Sequence, residues 1–265
     1  MIDRYLRRLL PACGAIAGLL LLAELALIAQ TAAPAPAQSA SLPPAAQIVK
    51  RFVDAIGGEA EFKKISSIRA VGTVEFIAQN ISGKIEMIAA RPSKMIMRGE
   101  MPDIGKFETG FDGKVGWEID PASGPKLLMG RRLLEVADDA RFDGILHGAD
   151  HVKTVTTVAK TTFDNRPAYQ IQVVLTSGSE ETEYFDVETG MLLGSESSRE
   201  TFMGVLPTIG FSRDYKKFGA IMQATTLVAR TLGMEQVVRL TTFEFNTAPA
   251  NTFTLPPQIK ALINK

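Results

Sequence analysis

The chain has 265 residues and carries 29 Lys plus Arg against 29 Asp plus Glu, a formal charge of zero. No global field therefore draws it to nucleic acid or to an anionic bilayer. Its one cysteine, Cys13, lies in the N-terminal segment and excludes a disulfide framework, so stability has to come from a packed core.

Taken in chain order, Arg4, Arg7 and Arg8 stand against a single acid, Asp3, and an apolar run follows from Leu9 to about Ala29. A positive region, an apolar region and then small residues make a secretory signal. Ala35-Pro36-Ala37 supplies the small residues a peptidase needs, so residues 1–37 read as a signal peptide and the mature chain starts near Gln38. The rival reading is an uncleaved membrane anchor, although Glu24 costs roughly 2.5 kcal/mol or more near the centre of a spanning helix. Either way the positive-inside rule sends the remainder outward. The expected place is the periplasm, soluble after cleavage or tethered to the inner membrane if the segment is retained. A lipidation site at Cys13 is rejected because the cysteine precedes the apolar run.

Residues 38–44 belong to a stretch of Ala, Pro, Gln and Ser without periodicity, a flexible linker. The domain is placed at 45–265, about 220 residues and ample for one core. Ile48, Phe52, Val53 and Ile56 recur at three- and four-residue spacing and predict a short helix, which Gly57-Gly58 stops. A second turn or two is expected from Glu59 to Ile65.

From Ile68 the period changes to two, with Ile68, Ala70, Gly72, Val74 and Phe76 on one face, which marks a half-buried strand. Further strands are predicted near 84–90, 94–100, 106–111, 115–119 and 126–129. Asp112-Gly113 is the clearest hairpin turn among them. Residues 131–145 break the pattern and suggest helix. A second series of strands follows near 152–163, 168–176, 181–187, 191–202, 208–218, 221–232 and 235–245. So many adjacent hairpins predict a mainly β fold with a few helices, a large curved antiparallel sheet. The economical arrangement wraps this sheet around the short helices as an unclosed half-barrel.

Ile56-Gly57-Gly58, the 65–72 entry into the first strand, Phe111-Asp112-Gly113 followed by Trp117, the 185–192 hairpin and the 243–256 closing segment together resemble the LolA/LolB-like periplasmic lipoprotein-sorting superfamily, over about residues 45–258. That resemblance implies an unclosed antiparallel barrel with a hydrophobic cavity for acyl chains. Lipid or an acylated lipoprotein is then the expected partner, and the domain is expected to be monomeric or weakly associated. Phe76, Met87, Met95, Met97, Phe107, Trp117, Leu127 and Met129 are the candidate cavity residues. Methionine is a flexible filler suited to a surface that re-packs around cargo. The same residues also read as ordinary core. An envelope sensor with this fold, binding a protein partner, is the alternative function.

No catalytic set is found: there is no Gly-x-Ser-x-Gly elbow, phosphate-cradling loop or dinucleotide fingerprint, and no cofactor is implied. His147 and His151, four apart with Asp143 and Asp150 nearby, are weak metal candidates that would support a metal-dependent hydrolase. Two surface histidines in a loop is the competing reading. Asp138-Asp139 and Glu180-Glu181 read as solvated pairs, since neighbours in sequence diverge on helix or strand.

Overall fold

The computed structural model describes residues 41–102, 104–201, 203–249 and 251–263. The expected signal at 1–37, and with it Cys13, lies outside the described residues. Each of the alternating runs becomes a strand, with ends moved by a few residues. They are β1 (Ser67–Phe76), β2 (Ile81–Ala90), β3 (Lys94–Met101), β4 (Gly105–Phe111), β5 (Gly116–Asp120), β6 (Gly124–Leu127), β7 (Val152–Phe163), β8 (Arg166–Leu175), β9 (Glu180–Asp186), β10 (Leu192–Thr201), β11 (Gly204–Phe218), β12 (Ile221–Thr231) and β13 (Met234–Phe245).

These strands form one sheet of 13, in the order β6-β5-β4-β3-β2-β1-β13-β12-β11-β10-β9-β8-β7. The pairings are antiparallel, and β1 meets β13 through the register Phe76 with Gln236 to Ile68 with Phe245. A bulge at Val71/Gly72 interrupts that seam. Gly72 is required there because a Cβ would lie 1.9 Å from the Arg239 carbonyl oxygen. Edge strands β6 and β7 do not pair with each other, so the sheet stays an unclosed half-barrel.

The concave face holds the main core. Helix α1 (Ala45–Ala55) buries Ile48, Val49, Phe52 and Val53, and the Phe52 ring meets Phe185 edge-on at 5.3 Å. Arg51 on the other face of α1 donates to the Val187 carbonyl at 2.7 Å, which ties the helix to the β9–β10 turn. Gly57 ends α1 at a φ of 122° and lies so close to the β11–β12 turn that a Cβ would come within 2.5 Å of the Ala220 oxygen. The Met222 amide bonds the Ile56 carbonyl at 2.9 Å on the same turn. A one-turn helix, α2 (Glu59–Lys63), then inserts Phe62, which is fully buried.

Helix α3 (Gly130–Asp139) links the two edge strands in sequence and braces the two wings in space. Arg132 reaches Glu118 on β5 at 2.7 Å, while Arg131 donates to the Ser198 carbonyl of β10 at 2.9 Å. Glu135 accepts the Glu200 amide at 3.0 Å.

The convex face is apolar in two places as well, beyond the helix-covered face around which the sequence reading wraps the sheet. On one wing Phe163 stacks on Tyr184 at 4.1 Å and on Phe211 at 5.3 Å. The guanidiniums of Arg213 and Arg230 lie 5.0 and 4.8 Å from the Phe211 ring centre, a cation–π cover over an otherwise exposed aromatic surface. On the other wing Ile88, Ile96 and Trp117 pack with Phe253 and Ile259. Ile259 belongs to helix α4 (Pro257–Ile263), which caps that cluster. No helix among the described residues is long and apolar enough to cross a membrane.

Candidate functional site

The hairpin turns at one end of the half-barrel stand around a cavity of about 560 Å³. The β1–β2 end contributes Phe76, Gln79 and Ile81, the β3–β4 end Met97, Met101, Ile104 and Phe107, and the β5–β6 turn residues 120–123. The link from β6 into α3 adds Leu127, Leu128, Met129 and Arg132, and Glu200, Thr201 and Gln236 complete the wall from the other wing. The Phe107 ring lies across Gly99, where a Cβ would fall 1.9 Å from the ring carbon Cζ. Absence of a side chain at Gly99 therefore sets how deeply Phe107 sits.

Of the candidate cavity residues, Phe76, Met97, Phe107, Leu127 and Met129 line this space. Met87 and Met95 are on the concave face but belong to the packed core, with 2% and 3% exposure. Trp117 is on the opposite side of the sheet, fully buried in the cluster beneath α4. Strand parity is the reason: Trp117 pairs with Gly110 and Leu127, whereas Phe107, Thr109 and Phe111 point the other way along β4. Leu127 is shared, since it borders the cavity and also packs with the outer cluster. Met101 and Ile104 were not among the candidates. The available signal was an apolar residue in a turn, where polar residues are the rule, and Ile104 is 41% exposed.

The polar part of the wall is built around α3. Arg132 donates to Glu118 from Nε at 2.9 Å and from Nη2 at 2.7 Å, and its Nη1 lies 3.6 Å from Glu135. Lys126 is 2.9 Å from the other Glu118 oxygen. Burial disfavours the Glu118 charge, but Arg132 and Lys126 outweigh it and hold the carboxyl below its usual range. Burial likewise works against charged Arg132, and Glu118 with Asp139 and Glu135 more than compensates.

The two histidines are not surface residues. The His147 side chain is 3% exposed, with Nδ1 donating to the Ile145 carbonyl at 3.0 Å and Nε2 at 2.6 Å from Glu183. Both ring nitrogens thus face oxygen acceptors, which leaves neither as a lone-pair donor to a metal. His151 is 2% exposed, and no group of three metal-binding side chains occurs among the described residues. The acidic pairs also divide. Glu180 is exposed, but Glu181 and Asp139 are buried, because the period of two turns one member of the β9 pair inward and α3 turns Asp139 towards Arg199 at 3.5 Å.

No family model matches the chain, and no curated protein matches it in sequence. Solved structures match it in fold. A LolA superfamily protein from Nitrosomonas europaea superposes with a TM-score of 0.55 at 14% identity, covering 81% of this chain and 99% of that one. A DUF1329 family protein from Desulfovibrio piger gives 0.55 at 9% identity, over 82% and 100%. A putative outer membrane lipoprotein-sorting protein domain from Vibrio parahaemolyticus gives 0.51 at 12% identity, over 83% and 98%. The fold is therefore LolA-like, as the sequence resemblance implied.

Proposed function

We propose that this protein is an envelope carrier or chaperone that binds lipid, or the acyl chains of a lipoprotein, in the cavity at the mouth of its half-barrel. The carrying observation is the 560 Å³ space walled by Phe76, Ile81, Met97, Met101, Ile104 and Phe107, within the roughly 300–1,000 Å³ of small-molecule sites. An acyl chain burying roughly 14 methylenes at about 0.8 kcal/mol each supplies on the order of 11 kcal/mol before binding costs. Affinity then depends on few polar contacts, which accounts for a site without a sequence signature. Likeness to a lipoprotein-sorting domain in fold, and the expected export signal at 1–37, support the same reading.

The test uses N-phenylnaphthylamine, a neutral apolar dye that brightens out of water, and mass spectrometry of lipid recovered with protein purified from its own envelope. Saturable dye binding, weakened in Met97→Phe, and a recurrent co-purifying lipid are expected. A folded protein that neither binds the dye nor carries lipid overturns the reading.

A further inference from the structure

On the lipid-binding reading above, we propose that the cavity selects acyl ligands whose polar end donates a hydrogen bond and carries no negative charge, a hydroxyl, amide N–H or ammonium, over ligands ending in carboxylate or phosphate. Gln236 carries the first observation. It is 5% exposed, it lines the cavity, and its Oε1 is buried without a hydrogen-bond partner among the described residues. It pairs across the seam with Phe76 and shares its strand face with Val238 of the main core, so its amide is on the concave side. Glu200 is the second: it also lines the cavity, and its Oε2 is buried and unpartnered. A buried acceptor without a donor forfeits its lost hydration, and a ligand that brings the donor recovers it.

The cations of the wall are already committed. Arg132 and Lys126 both hold Glu118, and Arg132 also faces Glu135. Among the described residues, Glu118, Asp120 and Glu200 line the cavity against Arg132 and Lys126, and Glu108, which also borders it, is held by Arg98 at 2.7 Å. An anionic end group entering this space meets the unpaired Glu200 oxygen and, among the described lining residues, no uncommitted cation, while Gln236 and Glu200 stay unsatisfied. A donor end group satisfies them and meets no repulsion.

Three ligands with the same saturated tail separate the effect of the head: palmitoylethanolamide, palmitate and hexadecyl phosphate, each below its micelle threshold, competing with N-phenylnaphthylamine on the full folded protein at neutral pH. Palmitoylethanolamide is expected to displace the dye about tenfold more tightly than either anion. Gln236→Met keeps the side-chain length and removes the acceptor, so the preference, taken as the ratio of the three ligands' affinities within the variant, is expected to shrink severalfold. Glu200→Gln is expected to improve palmitate. Equal displacement by all three ligands, a preference for an anion, or an unchanged preference in both variants overturns the headgroup assignment and leaves lipid binding standing. Failure of the wild-type protein to bind the dye or any of the three overturns the lipid reading and this proposal with it.

Discussion

Trp117 Nε1 donates a hydrogen bond to Glu108 Oε1 at 2.7 Å, so the buried indole is anchored at its polar edge while its faces pack in the cluster closed by α4. Trp117 is the only tryptophan in the chain, and its emission therefore reports whether α4 is docked. Ile259, wholly buried in that cluster, is the lever. Ile259→Ala is expected to cost about 2–4 kcal/mol, measured by urea unfolding, and to shift the emission to longer wavelength. An unshifted spectrum with unchanged stability would show that α4 does not cover the indole.

Arg132 lies between two carboxylates from different elements, Glu118 of β5 and Glu135 of its own helix. Arg132→Met leaves Lys126 on Glu118 and Arg131 on Glu135. The expected cost is about 2 kcal/mol, below the roughly 3–5 kcal/mol of a buried pair stripped of every partner. Replacing Arg132 and Glu118 together by Met is expected to recover part of that loss, as a double-mutant cycle in chemical denaturation would show.

Acid sensitivity follows from two carboxyls. Burial opposes ionisation of Asp186, but the Thr189 amide and hydroxyl, Arg166 and the Glu188 amide prevail and hold it below its usual range. Glu118 is held low as well. A depressed folded-state pKa adds stability that is present above the unfolded value of about 4 and is lost as pH falls through the folded one. Stability is thus expected to decline below about pH 4, and Asp186→Asn, measured by urea midpoints across that range, to be less stable at neutral pH with a shallower acid limb.

At the alkaline end, burial and then Glu196 push Tyr184 up to about 12. Here the sign is reversed: a raised folded-state pKa adds stability present below the ordinary tyrosine value of about 10 and lost as pH rises towards the folded one. Phenolate absorbance is expected to show a late step near 12 that disappears in Tyr184→Phe. A wild-type titration completed near the ordinary value would contradict the stacked, buried position against Phe163.

Nearly all of the sheet was legible because thirteen period-two runs divided by turn residues leave few alternatives to a meander. The runs did not reveal how many faces are covered. Met95, Ile96 and Met97 are buried in succession, a pattern of cover on both sides, but α4 has only seven residues, too few for helical periodicity to mark it. Trp117 reads as a cavity residue from the sequence because its side of the sheet depends on a register set by pairing with Gly110 and Leu127. The buried polar groups were the least legible. His147 and Glu183 are 36 positions apart, and a charged residue read without its distant partner resembles surface. Phe107 and Met129 were nameable as cavity residues, whereas Gln236 and Arg132 become part of the wall only once β13 and α3 are brought round to it.

The pairing order has a consequence for how the molecule is made. Eleven of the twelve strand pairings join neighbours in sequence, and the exception joins β1 to β13. Each wing can zip up as its hairpins leave the ribosome, with little loop entropy to overcome. The outer edge of Ser67–Phe76, however, stays unsatisfied until Met234–Phe245 arrives. For most of synthesis the nascent chain therefore exposes a ten-residue adhesive strand in its midst, the kind of edge that recruits wrong partners. The half-barrel's last seam to close is its central one.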